Sequence, residues 1–154
     1  MLPLEQIHPF VIHFPIAFFL SLFLLDLYAW LRKIPIDGRG GVANLSVGLA
    51  ILAGIGATIA ASFGAAALGI AQTGGVPESV TELHETLGGI TASLFAVWGL
   101  IRAFVWWRKM TIGKSMMLGI VVIELALAAM IVVTAYYGGQ LVYEYGVNVS
   151  PPAG

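Results

Sequence analysis

The stretch Phe10-Val11-Ile12-His13-Phe14-Pro15-Ile16-Ala17-Phe18-Phe19-Leu20-Ser21-Leu22-Phe23-Leu24-Leu25-Asp26-Leu27-Tyr28-Ala29-Trp30-Leu31 decides the fold. Apart from the Tyr28 phenol, only His13 and Asp26 in it can ionise, and a hydrocarbon core about 30 Å thick is crossed by about 20 helical residues. Three further apolar runs are also long enough to cross: Val42 to Ala71, His84 to Trp107 and Lys114 to Tyr137. Across all 154 residues, 59% are hydrophobic and 10% charged, with a mean hydropathy of +0.95, whereas a soluble domain carries about 25% charged residues. The expected fold class is therefore an all-α integral membrane protein. Residues 1–154 form a single four-helix transmembrane bundle, and residues 138–154 form a tail. The connections are too short for a separate soluble domain, and the first run lacks the basic leader and small-residue cleavage site of a signal peptide, so it is read as retained.

Absent residue types remove whole classes of chemistry. The chain has no cysteine, which excludes disulfides, thiolate metal sites, c-type haem attachment and cysteine nucleophiles. There is no HExxH, no phosphate-binding loop and no Ser-His-Asp pattern. A net charge of -1 gives no sign of nucleic-acid binding.

The basic residues set an orientation. Arg32, Lys33 and Arg39 follow the first run, and Arg108, Lys109 and Lys114 join the third to the fourth, while the N-terminus, the Gln72–Leu83 loop and the tail contain no Lys or Arg. The positive-inside rule then places both termini outside, in a multi-pass protein of an inner, cytoplasmic membrane. His8, His13 and His84 all fall on the outer side, with Glu5, Glu78, Glu82, Glu85 and Glu144. Trp30, Trp106 and Trp107 at one boundary and Tyr136, Tyr137, Tyr143 and Tyr145 at the other fit interfacial aromatic belts.

The histidines are the candidate ligands. Pro9 and Pro15 suit a first helical turn, which starts the helix at or soon after His8. His8 and His13, five residues apart, point about 140° away from each other on an unbroken helix, so they cannot serve one centre together. His84 opens the third run, and Gly88 one turn further leaves room beside it for the edge of a flat macrocycle. Two neutral imidazoles from different helices between apolar walls suit the axial positions of a b-type haem. Zinc or copper held by His8, His13 and His84 with Glu82 or Glu85 is a second possibility. Interfacial histidines with no cofactor are the third.

Asp26, Arg102 and Glu124 are ionisable residues inside apolar runs, where burial is costly and marks pairing or function. By helix rise Asp26 and Arg102 lie at a similar depth and are expected to pair. Glu124 either joins them or stays protonated as a proton-relay group. Only Glu124 with Thr91, Ser93 and Thr134 could line a polar path. In the second run, Ala50–Gly54 and Ala60–Gly64 are pairs of small residues one turn apart, which usually serve close helix packing but could also clear space for a flat cofactor.

A loose internal echo relates the halves: each begins with a histidine, runs to a basic cluster and returns to a glycine pair, Gly74-Gly75 or Gly138-Gly139. A parallel repeat of this kind would set His13 and His84 on facing helices. The tail, with Leu141, Val142, Tyr143, Tyr145 and Val147, either folds back over the histidine end or lies in the interface, and order should fade at Pro151 and Pro152.

The opening His8-Pro9-x-x-Ile12-His13-Phe14-Pro15-Ile16-Ala17, the later His84 and the ending Gly138-Gly139-x-Leu141-Val142-Tyr143-x-Tyr145-Gly146-Val147 resemble a bacterial family of small predicted four-helix membrane proteins, a domain of unknown function. The departures are Ile12 in place of the usual valine and Asn148 where glycine often stands. The resemblance implies the four-helix topology and carries the family's histidines onto His8, His13 and His84. The reading that joins these strands is a cytochrome-like electron carrier holding one haem b near the outer face, with His84 and either His13, the preferred partner, or His8 as axial ligands. Its partners would be the lipid bilayer and a quinol or redox subunit, within an oligomer or larger complex. The alternatives are a non-catalytic subunit or scaffold, or a transition-metal site.

Overall fold

The computed structural model describes residues 4–73, 76–147 and 149. The Gly74-Gly75 pair, Asn148, Pro151 and Pro152, and the side chain of Glu5, lie outside what is described. The described residues are helical, without strands: α1 (Leu4–Val11), α2 (His13–Arg32), α3 (Gly41–Thr73), α4 (Glu78–Trp107) and α5 (Lys114–Tyr143). Four segments are long and apolar enough to span a membrane: Ile7–Arg32, which joins α1 to α2, Gly41–Gly69, Glu78–Trp107 and Lys114–Tyr143. Helices are the only open-ended structure that satisfies every backbone polar group internally in lipid.

Each helix turns one stripe inward. Phe19, Leu22, Asp26 and Ala29 of α2 are buried, as are Ala92, Phe95, Gly99 and Arg102 of α4, spacings of three and four that keep side chains on one helix face. Large apolar residues such as Leu24, Leu100 and Val132 are exposed on the opposite faces, as lipid contact requires. In the bundle α2 neighbours α3 and α5, and α4 neighbours α3 and α5, so α2 faces α4 across the centre. Glycines draw α3 against α4. A Cβ on Gly54 would stand 2.9 Å from the Phe95 carbonyl oxygen, and one on Gly99 would stand 2.8 Å from that of Ala50.

Three boundaries differ from those expected. The first helix starts at Leu4, ahead of His8, and runs into α2 through Ile12, which keeps right-handed helical angles; Pro15 has no N–H to give to the Val11 carbonyl, which loosens the ladder there without breaking it. α4 begins at Glu78, after Pro77, so His84 sits almost two turns inside the helix. α5 runs on to Tyr143, so Gly138-Gly139 is helical and not a tail, and the chain turns only at Gly146, whose φ is +66°. Polar or glycine-rich ends conceal such extensions from a reading based on apolar length.

Candidate functional site

At the end of the bundle opposite the basic loops, the core opens into a cavity of about 490 Å³, within the range of small-molecule and cofactor sites. Small residues create it. Ala57, Ala60, Gly64 and Ala67 of α3 line one side, Thr134, Ala135 and Gly138 of α5 another, and Gly88, Thr91 and Ala92 of α4 a third. The Cα atoms of α1 stay more than 8 Å from those of α4 and α5 among the described residues, which leaves the gap between them.

His8 and His84 face each other across this space, with ring centroids 6.4 Å apart and ring planes at 78°. His8 is held by a hydrogen bond of 2.7 Å between its Nδ1 and the Ala60 carbonyl. A carbonyl only accepts, so Nδ1 carries the proton and the Nε2 lone pair is free for a ligand. The ring lies on Gly64, where a Cβ would come within 2.9 Å of Cε1. His84 is seated in the same manner on α5: a Cβ at Gly138 would come within 2.9 Å of its Cε1, and the Thr134 backbone lies beside it. Its Nδ1 is buried without a hydrogen-bond partner of good geometry. Thr91 and Thr134, joined by a 3.0 Å hydroxyl bond, tie α4 to α5 under this ring.

These correspondences form an internal repeat. His8 and His84, Phe19 and Phe95, and Asp26 and Arg102 are each separated by 76 residues, and each pair meets across the middle of the bundle. The phenyl rings stack with centroids 4.0 Å apart, and the acid and base form a salt bridge. Lys33 and Lys109, at the same separation, both close their helices in the left-handed conformation, each followed by a residue that bonds five positions back, the Schellman pattern. On α3 and α5, Ala60 and Thr134 match at a separation of 74, as do Gly64 and Gly138. The expected echo is thus present, but it pairs His8 with His84 and Gly64 with Gly138.

His13 also lines the cavity, but its side chain is exposed. Both histidines border one space, but only His8 meets His84, in keeping with the separation of about 140° between His8 and His13 on one helix. Gly88 borders the cavity with nothing within 4 Å of a built Cβ. Glu78, Glu82, Glu85 and Glu144 are exposed, and no group of three or more His, Asp or Glu residues able to hold a metal ion occurs among the described residues. Leu141, Val142, Tyr143 and Val147 line the cavity from the extended end of α5 and the turn after it. Sequence reasoning overlooked Gly64, Ala60 and Thr134 as seats for the imidazoles; the Ala60–Gly64 pair was the available signal.

His8 and His84 bring two imidazoles from different helices to the edge of an apolar cavity, with the Ala60 carbonyl fixing the His8 tautomer, a donor set of the kind that could hold a group bound by two neutral histidines.

The buried charges form a second cluster deeper in the bundle. Arg102 Nη1 donates to Asp26 Oδ2 and, at 2.9 Å, to Glu124 Oε1, and its Nη2 donates to Ser46 Oγ. Ser46 Oγ donates to Asp26 Oδ1 at 2.7 Å, and Trp98 Nε1 to Glu124 Oε1 at 3.1 Å. The expected Asp26–Arg102 pair is present, and Glu124 joins it. Ser93 faces outward, bonded to the Gly89 carbonyl, so it adds nothing to a polar path through the bundle.

No curated protein and no solved structure matches this chain. The four apolar helices and the near-complete coverage agree in one assignment: the family model for predicted membrane proteins designated DUF2231 matches residues 5–151, and the chain belongs to that family.

Proposed function

We propose that this protein is an electron-transfer protein whose cavity at the histidine end takes one haem b, which His8 and His84 would hold. The observation that supports this is the His8–His84 pair, 6.4 Å apart at the wall of a cavity of about 490 Å³. A haem there would supply one-electron redox chemistry, while the protein sets its potential through ligand identity and burial. The chain's own residues do the positioning. Ala60 fixes the His8 tautomer, Gly64 and Gly138 let both rings approach the helices behind them, and the Phe19–Phe95 stack closes the floor. In this reading the preferred partner of His84 changes from His13 to His8. All the lysines and arginines of the loops lie at the other end, so the positive-inside rule supports a histidine end facing outward from a cytoplasmic membrane, where a quinol or partner subunit could exchange electrons with an external acceptor.

The test is a visible spectrum of detergent-purified protein, air-oxidised and then dithionite-reduced, with a pyridine haemochrome assay. The expected result is a sharp reduced α band with about one b-type haem per chain. It should be lost in His8→Ala and His84→Ala and retained in His13→Ala. Retention in His8→Ala with loss in His13→Ala would overturn the ligand pair. Protein that stays colourless after expression with a haem precursor would overturn the haem reading and favour a scaffold subunit.

A further inference from the structure

The charged layer in the middle of the bundle is not needed by the histidine site, and its composition is unbalanced. Every membrane helix contributes to it: Asp26 from α2, Ser46 from α3, Trp98 and Arg102 from α4, Glu124 from α5. Asp26, Ser46 and Glu124 are fully buried, and Arg102 is 2% exposed. One guanidinium thus faces two carboxyl groups in a dry interior, where an uncompensated charge is strongly disfavoured. The hydrogen bonds show which carboxyl is the odd one. Both oxygens of Asp26 receive donors, whereas Glu124 takes two donors on Oε1 and none on Oε2. Asp26 and Glu124 both accept from the same Arg102 nitrogen, Nη1, and two carboxyl groups brought together around one cation in a dry interior balance its single charge only when one of them carries a proton.

The layer has an opening on one side. Toward the histidine cavity it is closed by Leu22 and by the Phe19–Phe95 stack. Toward the basic end, a cavity of about 10 Å³ is bordered by Arg102 and Asp37, on the order of the room one water molecule takes up. Asp37 belongs to the loop between α2 and α3 and is half-buried.

We propose that this layer is a proton-binding site: Glu124 holds one exchangeable proton, directed toward Asp26, and exchanges it with water at the basic end through the gap between Arg102 and Asp37. The bound species is a proton delivered by water, and uptake converts the Glu124 carboxylate to the neutral acid with no other bond made or broken. The site stands apart from the haem reading, since neither its geometry nor its test requires a cofactor.

Infrared spectroscopy of the full-length protein in detergent tests it. At neutral pH the wild type should show the C=O stretching band of a protonated carboxyl on the high-frequency side of amide I. That band should shift with ¹³C-labelled glutamate but not with ¹³C-labelled aspartate, move down in D₂O, and be absent from Glu124→Gln. If Glu124→Gln does not fold, the labelling of the wild type decides alone. Absence of the band, a response to the aspartate label, or survival in Glu124→Gln would overturn the site. Asp37→Asn should slow the D₂O shift several-fold; an unchanged rate would overturn the proposed route.

Discussion

The two halves of the bundle core treat space in opposite ways. At the histidine end, alanine and glycine face inward and leave about 490 Å³; around the charged layer, Leu22, Trp98 and Leu127 fill the centre down to a gap of about 10 Å³. The polar groups differ as well. Each end keeps one buried atom without a partner, His84 Nδ1 and Glu124 Oε2, but at the charged end five polar side chains are joined in a continuous network. Close-packed interiors hold few large voids, so the contrast separates a region filled almost completely by side chains from one that keeps a space of ligand size.

Substitutions in each half should break this contrast in different ways. The largest effect is expected from Arg102→Ala, which leaves two buried carboxyl groups without their cation. Removing one partner of a buried pair costs about 3–5 kcal/mol, so the variant should accumulate poorly and melt far below the wild type in a detergent thermal-shift assay, with or without haem. Next come Gly54→Ala and Gly99→Ala, whose methyl groups meet backbone carbonyls of the facing helix. Overpacking of this kind costs about 1–3 kcal/mol, read in the same melt.

Gly64→Ala and Gly138→Ala sharpen the comparison. Their methyl groups meet an imidazole instead of backbone, so the melt of the protein without haem should change little, while under the proposed haem reading affinity for added haem should fall about tenfold, the scale seen when groups that orient a ligating histidine are disturbed. A spectrum and a haem titration check both halves of that statement. The smallest effect belongs to Gly88→Ala, where nothing lies within 4 Å of the new methyl. Alanine's helix propensity should raise apoprotein stability by up to about 1 kcal/mol.

Much of the fold was legible because lipid imposes a length. The four runs mark the helices, and equal depths of Asp26 and Arg102 mark their pairing. What stayed hidden depends on local chemistry. Which of His8 and His13 meets His84 turns on Ala60 and Gly64 of another helix, which seat the His8 ring while His13 stays exposed. The continuation of α5 through Gly138-Gly139 is hidden because helical glycines that accommodate an imidazole are spelled like a turn. The repeat was visible only as an echo, because its α3–α5 half matches Gly64, and not Gly74-Gly75, to Gly138.

Three pairs of equivalent residues meet across the middle, and they differ in whether sameness is tolerated. Histidine can face histidine, and phenylalanine can stack on phenylalanine, but the third pair is Asp26 with Arg102. Two copies of the first half brought together would press carboxylate against carboxylate in a dry interior, and two copies of the second would press guanidinium against guanidinium. Each half therefore accepts only its complement, and a single salt bridge gives an almost symmetric molecule a left hand and a right hand.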